Sequence, residues 1–262
     1  MIQIKIPLKS YLIAYNTIVI KEVSRFTRIW VQTILPPAVS MTLYFVVFGN
    51  LIGTRIGVME GFSYVEYIAP GIIMMAIMNS SYANVVSSFF SAKFQRHIEE
   101  MLVAPIPNIV ILLGYITGGI ARGILVGIVV TCVAMFFTQL YIHNVLIVIL
   151  VVIMTSTLFS LGGLINGIFA KKFDDVSIIP TFVLTPLIYL GGVFYSINLL
   201  PQFWQTVSRF NPILYMVNAF RHGLLGVSDI DITTAFIIIM IFICILFTFS
   251  LYLLNKGTGI KH

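Results

Sequence analysis

The spacing of the charged residues constrains this chain more than any other feature of its sequence. Three runs of 26, 26 and 24 residues contain no Asp, Glu, Lys or Arg; they are residues 29–54, 67–92 and 232–255. About 20 consecutive apolar residues cross the hydrocarbon core of a bilayer as a helix. Each run is therefore long enough to span a membrane.

Two longer stretches complete the pattern. Residues 101–170 carry one charged side chain, Arg122, and leave room for two spans, whereas residues 176–208 carry none and leave room for one. The sequence therefore predicts an all-α polytopic membrane protein with six transmembrane helices. We expect these spans at residues 29–52, 67–91, 109–137, 145–169, 177–194 and 233–254.

The composition excludes several classes of function. Hydrophobic residues make up 59% of the 262 residues, charged residues make up 9%, and the mean hydropathy is +1.05, which rules out a soluble protein. Six spans leave no room for a soluble catalytic domain. The chain has no G-x-x-x-x-G-K-[ST] phosphate loop and no metal-ligand spacing, so we predict no catalytic, cofactor-binding or metal-binding residue. Cys132 and Cys244 lie in apolar stretches and are expected to be buried packing residues.

The Lys and Arg residues of the loops predict the orientation. When the six spans alternate across the membrane, eleven of these residues fall on the side of the two termini and three on the opposite side. Cytoplasmic loops carry the excess of positive charge. We therefore expect both termini in the cytoplasm, and the net charge of +6 reflects topology rather than binding of nucleic acid.

Residues 1–28 predict an amphipathic helix ahead of the first span. Val19, Val23 and Phe26 recur at helical spacing on one side, with Lys21 and Arg25 on the other. Such a helix lies in the membrane interface. Two interpretations stay open: a flank that only sets the topology, and a helix that also touches a cytoplasmic partner.

Residues 93–107 are too charged for lipid and too apolar for a solvated linker. Phe94, Ile98, Met101 and Leu102 follow helical spacing, and Pro105 ends the pattern. The remaining surface of this helix carries Arg96, Glu99 and Glu100. An amphipathic helix of this type docks into a groove on another protein, or it only caps the bundle at the interface.

Residues 196–231 contain two apolar stretches that are too short to cross the membrane. Asn211 followed by Pro212 predicts a helix start, since the Asn side chain caps free amide groups and Pro fits the first turn. The apolar stripe of this helix is formed by Ile213, Met216, Phe220 and Leu224. We interpret the segment as an outer hairpin that re-enters the bilayer partway; the alternative is a helix lying flat on the outer surface.

The third and fifth predicted spans carry unusual residues. Gly114, Gly118, Gly119, Gly123 and Gly127 give the third span a smooth side for close helix packing. Pro180 and Pro186 are expected to kink the fifth span. Arg122 lies about 13 residues into the third span, where a charge either faces the bundle interior and a translocation path or snorkels toward lipid phosphates.

Three features together resemble the membrane subunits of type-2 ATP-binding-cassette exporters over nearly the whole chain. The first is the order of parts: interfacial helix, six spans, and an outer hairpin between the fifth and sixth spans. The second is the stretch from Ala69-Pro70-Gly71 into FQRHIEEMLVAPIP, and the third is LPQFWQTVSRFNPILYMVNAFR in the outer segment.

The resemblance implies a function and partners. It implies a homodimer that works with two copies of a separate ABC ATPase, on which ATP and Mg are bound, in a bacterial inner membrane. It implies export of an amphipathic or lipid-linked substrate such as a drug, glycolipid or polysaccharide along a path between the two copies. It makes residues 93–107 a coupling helix, with Phe94, Arg96, Ile98, Glu99, Glu100, Met101 and Pro105 as contacts to the ATPase. It also places an outer gate at Pro201, Asn211, Pro212 and Arg221. An ATP-independent channel or solute carrier and an intramembrane hydrolase are the alternatives.

Overall fold

A computed structural model describes residues 8–259, which form an almost entirely helical bundle. An N-terminal helix, Leu8–Arg28, precedes six helices that are long and apolar enough to cross a membrane. These helices are named spans 1 to 6 and comprise Trp30–Ile56, Tyr64–Phe94, Asn108–Ala134, Val145–Phe169, Phe173–Leu190 and Ile232–Lys256. The prediction of an all-α protein with six spans is confirmed, with boundaries that differ by a few residues.

Shorter elements occupy the connections. The loop helix, His97–Val103, follows span 2. The first outer helix, Gln202–Arg209, and the second outer helix, Pro212–Leu225, lie between spans 5 and 6 and follow a single 3-10 turn, Ile197–Leu199. A two-stranded hairpin, Val58–Met59 with Phe62–Ser63, connects spans 1 and 2 and was not predicted.

Span 2 forms the centre of the bundle and packs against spans 3 and 4. In its apolar stretch 83% of the residues are buried. A Cβ atom at Gly119 or Gly123 would collide with the hydroxyl groups of Ser160 or Ser81, so only glycine allows the observed approach. The predicted close packing along the glycine side of span 3 is therefore confirmed.

Spans 1 and 5 lie at the edge of the bundle. Only 17% of the residues in the apolar stretch of span 1 and 6% of those in span 5 are buried. Span 5 contains a wider π-helical turn, Pro180–Leu184, because Pro180 has no N–H to donate and clashes with a regular α-helical turn. Span 1 contains a similar stretch, Phe45–Ile52.

Two details of the sequence interpretation are wrong. Cys132 and Cys244 are exposed on the outside of the described bundle and are not buried packing residues. In the N-terminal helix, the face against the bundle is formed by Ile18, Glu22 and Phe26, so a carboxylate lies on the buried side. The spacing analysis missed Glu22 because its buried partners come from spans 2 and 3, far away in the sequence.

Candidate functional site

The segment after span 2 consists of a turn and then a short helix. Span 2 ends at Phe94, and the loop helix begins at His97 after Arg96 adopts a left-handed backbone conformation with φ of 63°. The predicted stripe through Phe94 and Ile98 is therefore wrong, because this turn separates the two residues. Phe94 is 61% exposed, whereas Ile98 is fully buried.

The exposed surface of this segment carries both charged and apolar groups. Arg96, Glu100 and Pro105 are exposed, and Val103 on the same helix is 86% exposed. Met101 packs against the apolar cluster at this end of the bundle, and Glu99 is half-buried. An exposed helix that combines carboxylates with apolar side chains has the chemistry of a docking surface for another protein. The role of these seven candidate residues in coupling stays a prediction.

A cavity of about 670 Å³ lies beside the turn. Its lining includes Lys93, Phe94 and Arg96 from the end of span 2 and Lys171 from the end of span 4. The Lys93 amine donates to the carbonyl oxygens of Ile168 and Ala170, at 2.5 and 2.8 Å. These two bonds tie the end of span 2 to the end of span 4.

Arg122 lies in span 3 and is partly buried. Among residues 8–259, its guanidinium makes no hydrogen bond and lies within 4 Å of no carboxylate, and its Nε atom is buried. The residues that line the cavities described in this section do not include Arg122. Its place in a translocation path stays a prediction.

The predicted helix start at Asn211 and Pro212 is confirmed. The Asn211 side-chain oxygen accepts from the amide of Ile213 at 3.0 Å, and Pro212 occupies the first turn. The Asn211 amide also donates to the carbonyl of Leu187 at 2.6 Å, which ties the outer helices to span 5. Pro201 stands directly before the first outer helix.

The second outer helix is buried against spans 2, 4 and 6. The predicted stripe residues Ile213, Met216, Phe220 and Leu224 are all at most 4% exposed, and so is most of the remaining helix. This burial excludes a helix lying flat on the outer surface of the described bundle. Re-entry into the bilayer requires such burial and stays a prediction.

Arg221 is the centre of a buried polar cluster at the outer end. Its guanidinium donates to the carbonyl oxygens of Gly192 at 2.7 Å and Tyr67 at 3.3 Å. The group also lies 4.0 Å from the centroid of the Tyr67 ring and 3.9 Å from a carboxylate oxygen of Asp229. A fully buried guanidinium is stable only with such partners, so Arg221 joins the second outer helix to span 2 and to the end of span 5.

Asp229 completes this cluster and was missed by the sequence analysis. Its carboxylate accepts from the hydroxyl of Ser196 at 2.7 Å and from the amide of Ile197 at 3.1 Å. Its own amide donates to Asn218 at 3.0 Å. No motif marked Asp229, since a carboxylate in an outer loop is usually solvated; only the fold brings Arg221 beside it.

The surface shared by spans 1, 2 and 5 is a second feature that the sequence analysis missed. This surface, the open face, carries a hollow of about 240 Å³ that is lined by the exposed residues Ser40, Asn79, Thr185 and Tyr189 and by the half-buried Tyr44. Asn79 is exposed in the middle of span 2. A polar side chain at this depth is costly against lipid and normally faces protein or an aqueous path. Asn79 is one of two amide side chains in the charge-free run 67–92, together with Asn84, and this was the signal available in the sequence.

Comparison with known proteins identifies the class to which this bundle belongs. Residues 14–225 match the ABC-2 type transporter family, which covers the N-terminal helix, five spans and both outer helices. The chain belongs to this family and is the membrane permease component of a transport system. Permeases of this family generally work with an ABC ATPase partner.

Individual relatives agree with this class. The chain is 55% identical over 251 residues to the inner membrane transport permease YadH of Escherichia coli strain K12, covering 96% of this chain and 98% of YadH. It is 26% identical over 215 residues to nodulation protein J of Rhizobium leguminosarum bv. trifolii, covering 82% of each chain. It is also 22% identical over 200 residues to nodulation protein J of Rhizobium meliloti strain 1021, covering 76% of each.

Proposed function

We propose that this chain is the membrane subunit of an ATP-driven exporter in a bacterial inner membrane. Two copies form the membrane part, and two copies of an ABC ATPase, which bind ATP and Mg, lie on the cytoplasmic side. The observation that carries the proposal is the exposed, charged loop helix at one end of a permease of this family. The relation to YadH, which is named for the inner membrane, supports the location.

The open face supports the proposed homodimer. Spans 1 and 5 bury few residues within one copy, and the face between them exposes Asn79 and Thr185 at membrane depth. A second copy related by a twofold axis would cover this face with the same residues. The two faces together would enclose a path lined by hydroxyl, amide and apolar groups.

The chemistry of this lining supports an amphipathic or lipid-linked substrate. Ser40, Tyr44, Asn79 and Tyr189 supply hydrogen-bonding groups, and Met41, Met75 and Ile188 supply apolar surface in the same hollow. A lining of this type binds molecules that have one polar and one apolar part. A small ion or a highly charged solute finds no carboxylate or basic side chain in the hollow.

The loop helix is the proposed site of coupling. With both termini in the cytoplasm, as the loop charges favour, this helix faces the ATPase. ATP binding would draw the two ATPase copies together and move the loop helix. The Lys93 bonds to the end of span 4 would then carry the movement into two spans at once.

The outer helices are the proposed gate. Pro201, Asn211 and Pro212 set where the two helices begin, and Arg221 anchors the second outer helix to span 2 and to the end of span 5. We expect this pair to move as one body with spans 2 and 5. Arg221 therefore positions the gate and does not line the path, because its side chain is fully buried.

Cross-linking tests the homodimer. In a chain whose Cys132 and Cys244 are replaced by serine, Thr185→Cys, which lies exposed on the open face, should give a disulfide-linked dimer under oxidation. Leu146→Cys, which is also exposed but lies on span 4 away from the open face, is the matched control and should not. Equal cross-linking at both positions, or none at Thr185→Cys, contradicts the proposed interface.

Transport in inside-out vesicles tests the function. Vesicles that contain this chain and its ABC ATPase partner from the same organism should accumulate a fluorescent amphipathic dye only when ATP is supplied. Asn79→Leu should lower this accumulation without loss of protein from the membrane, because it removes the polar group from the middle of the path. Accumulation by the chain alone, without ATP, would instead identify an ATP-independent channel or carrier.

A further inference from the structure

A buried carboxylate joins the N-terminal helix to the bundle. Glu22 is fully buried, and its carboxylate accepts a short hydrogen bond of 2.5 Å from Ser88 in span 2. Gly118 in span 3 makes room for it, since a Cβ atom there would lie 2.5 Å from the Cβ of Glu22. The N-terminal helix is therefore fixed against spans 2 and 3 at this level.

Arg25 extends this contact by one helical turn. Its guanidinium donates to the backbone oxygen and the side-chain oxygen of Asn84, at 2.9 and 2.7 Å, and lies 3.5 Å from Glu22. The side chain keeps 29% of its surface exposed. Arg25 is therefore held in place against span 2, with its side chain only partly buried.

Arg122 approaches the same place from span 3. Helical side chains lean toward the N-terminus and cover the preceding turn, so Arg122 lies over the turn that contains Gly118. Gly118 faces both Glu22 and Asn84, the two partners of Arg25. Arg25 and Arg122 therefore lie beside the same turn of span 3, where like charges repel one another.

The charges in this cluster do not balance. Lys21, whose amine lies 5.7 Å from the ring centroid of Tyr115, adds a third cation to Arg25 and Arg122, against the single carboxylate of Glu22. Within the described part of the chain, Arg122 has no hydrogen-bond acceptor at all, in contrast to the fully satisfied Arg221. Arg122 thus has unused N–H donors beside a second guanidinium group, and such a pair matches the geometry of a phosphate group.

The position of the cluster indicates which kind of molecule would supply a phosphate group. Trp30 begins span 1 directly after the N-terminal helix, and that helix exposes Leu12, Ile13 and Ile20. A helix with apolar residues exposed beside basic ones lies at the level of the lipid headgroups. We propose that Arg25 and Arg122 together bind the phosphate group of a phospholipid in the membrane leaflet along which the N-terminal helix lies. The site depends on the proposed orientation in one respect only, because the orientation decides which leaflet supplies the lipid.

Native mass spectrometry of the full-length chain tests this site. The protein is purified in detergent, stripped of lipid and titrated with phosphatidylglycerol. We expect Arg122→Gln to weaken binding of the first lipid about tenfold, the size of one lost charge-assisted hydrogen bond. Arg28→Gln is the matched control, because Arg28 is exposed on the same N-terminal helix, and it should bind like the wild type.

Further variants and ligands separate the possible outcomes. Arg122→Lys keeps the charge but loses the two-pronged guanidinium, and it should bind more weakly than the wild type; it also serves if Arg122→Gln does not assemble. Diacylglycerol, which has no phosphate, should bind all variants alike. Unchanged lipid affinity in both Arg122 variants would overturn the site. If millimolar inorganic phosphate displaced the lipid, the site would bind free phosphate, and a phospholipid as the source of the phosphate group would be contradicted.

The test is independent of the transport proposal. It uses the isolated chain and measures neither ATP hydrolysis nor export, so loss of the lipid site leaves the permease function standing. Conversely, phospholipid binding that depends on Arg122 would persist even if the chain proved to work without an ATPase.

Discussion

The two ends of the bundle are built in different ways. At the outer end, spans 2, 4 and 6 begin with side-chain caps from Ser63, Asn144 and Asp231. The buried guanidinium of Arg221 there has four partner residues: Tyr67, Gly192, Asn218 and Asp229. At the opposite end, the loop helix has seven residues and no side-chain cap. Arg122, in the middle of span 3 and near the N-terminal helix, makes no hydrogen bond within residues 8–259.

This difference indicates which parts are fixed and which are available. Buried polar groups that are fully satisfied hold their elements in one arrangement. Exposed charges and unpaired cations are instead free to bind something else. The end that contains Arg221 is anchored by such contacts, whereas the opposite end carries the surfaces that we propose for an ATPase and for a lipid phosphate.

The largest expected effect comes from Arg221 at the outer end. Arg221→Gln leaves the Asp229 carboxylate buried without its cation, and breaking such a pair costs about 3–5 kcal/mol. We expect a clear drop in the thermal unfolding temperature of the purified protein. Arg209→Gln, on the exposed first outer helix, is the control and should unfold like the wild type. Equal stability of the two variants would show that the outer end is not anchored by Arg221.

Substitution of two glycines allows the packing at the two ends of the bundle to be compared. A Cβ atom at Gly71 would collide with the backbone of Val193, which cannot move aside, whereas at Gly114 it would meet only the side chain of Ile18, at 2.6 Å. Gly71→Ala should therefore destabilise the protein by about 1–3 kcal/mol, and Gly114→Ala by less. The thermal unfolding temperatures of the two variants measure this difference in stability. A larger effect at Gly114 would reverse the proposed order of rigidity.

The loop helix should respond in function rather than in stability. Glu99→Arg combined with Glu100→Arg reverses the charge of the docking surface, while the spans stay intact. We expect the ABC ATPase to be retained about tenfold less by the purified chain, the equivalent of about 1.4 kcal/mol. Gel filtration of the variant alone serves as the control for folding. Full retention and full ATP-dependent transport by an assembled double variant would remove the coupling role.

The smallest expected effect is at a helix start of the outer end. Asn144 accepts from the amides of Leu146 and Ile147, at 3.1 and 3.2 Å. Asn144→Ala should destabilise span 4 by about 1 kcal/mol, the usual value of such a cap. Asn16→Ala, an exposed position in the N-terminal helix, provides the comparison for thermal unfolding. Identical unfolding temperatures would show that capping adds nothing at this end.

The features that follow from local sequence were predictable. Charge-free runs located all six spans, the Asn211-Pro212 pair located the second outer helix, and the glycines of span 3 located its close packing. Each depends on neighbouring residues or on helical spacing alone. The sequence pattern therefore predicted correctly that these segments are helices.

The features that depend on tertiary contacts were not predictable. The turn at Arg96 breaks a regular apolar spacing, because Ile98 has to reach the inner cluster while Phe94 stays outside. Glu22 and Asp229 are charged residues that only long-range partners stabilise. Asn79 was not predicted to be exposed, because its position in a hollow between spans 1, 2 and 5 follows only from how these spans are arranged in the fold.

Affinity purification most directly tests the central claim that this chain is a transport subunit driven by a separate ATPase. The full-length chain is expressed together with the ABC ATPases of the same organism, and ATP hydrolysis is measured for the purified complex and for the chain alone. The account predicts that the ATPase is retained and that only the complex hydrolyses ATP. Retention of no ATPase, or hydrolysis by the chain alone, would contradict it.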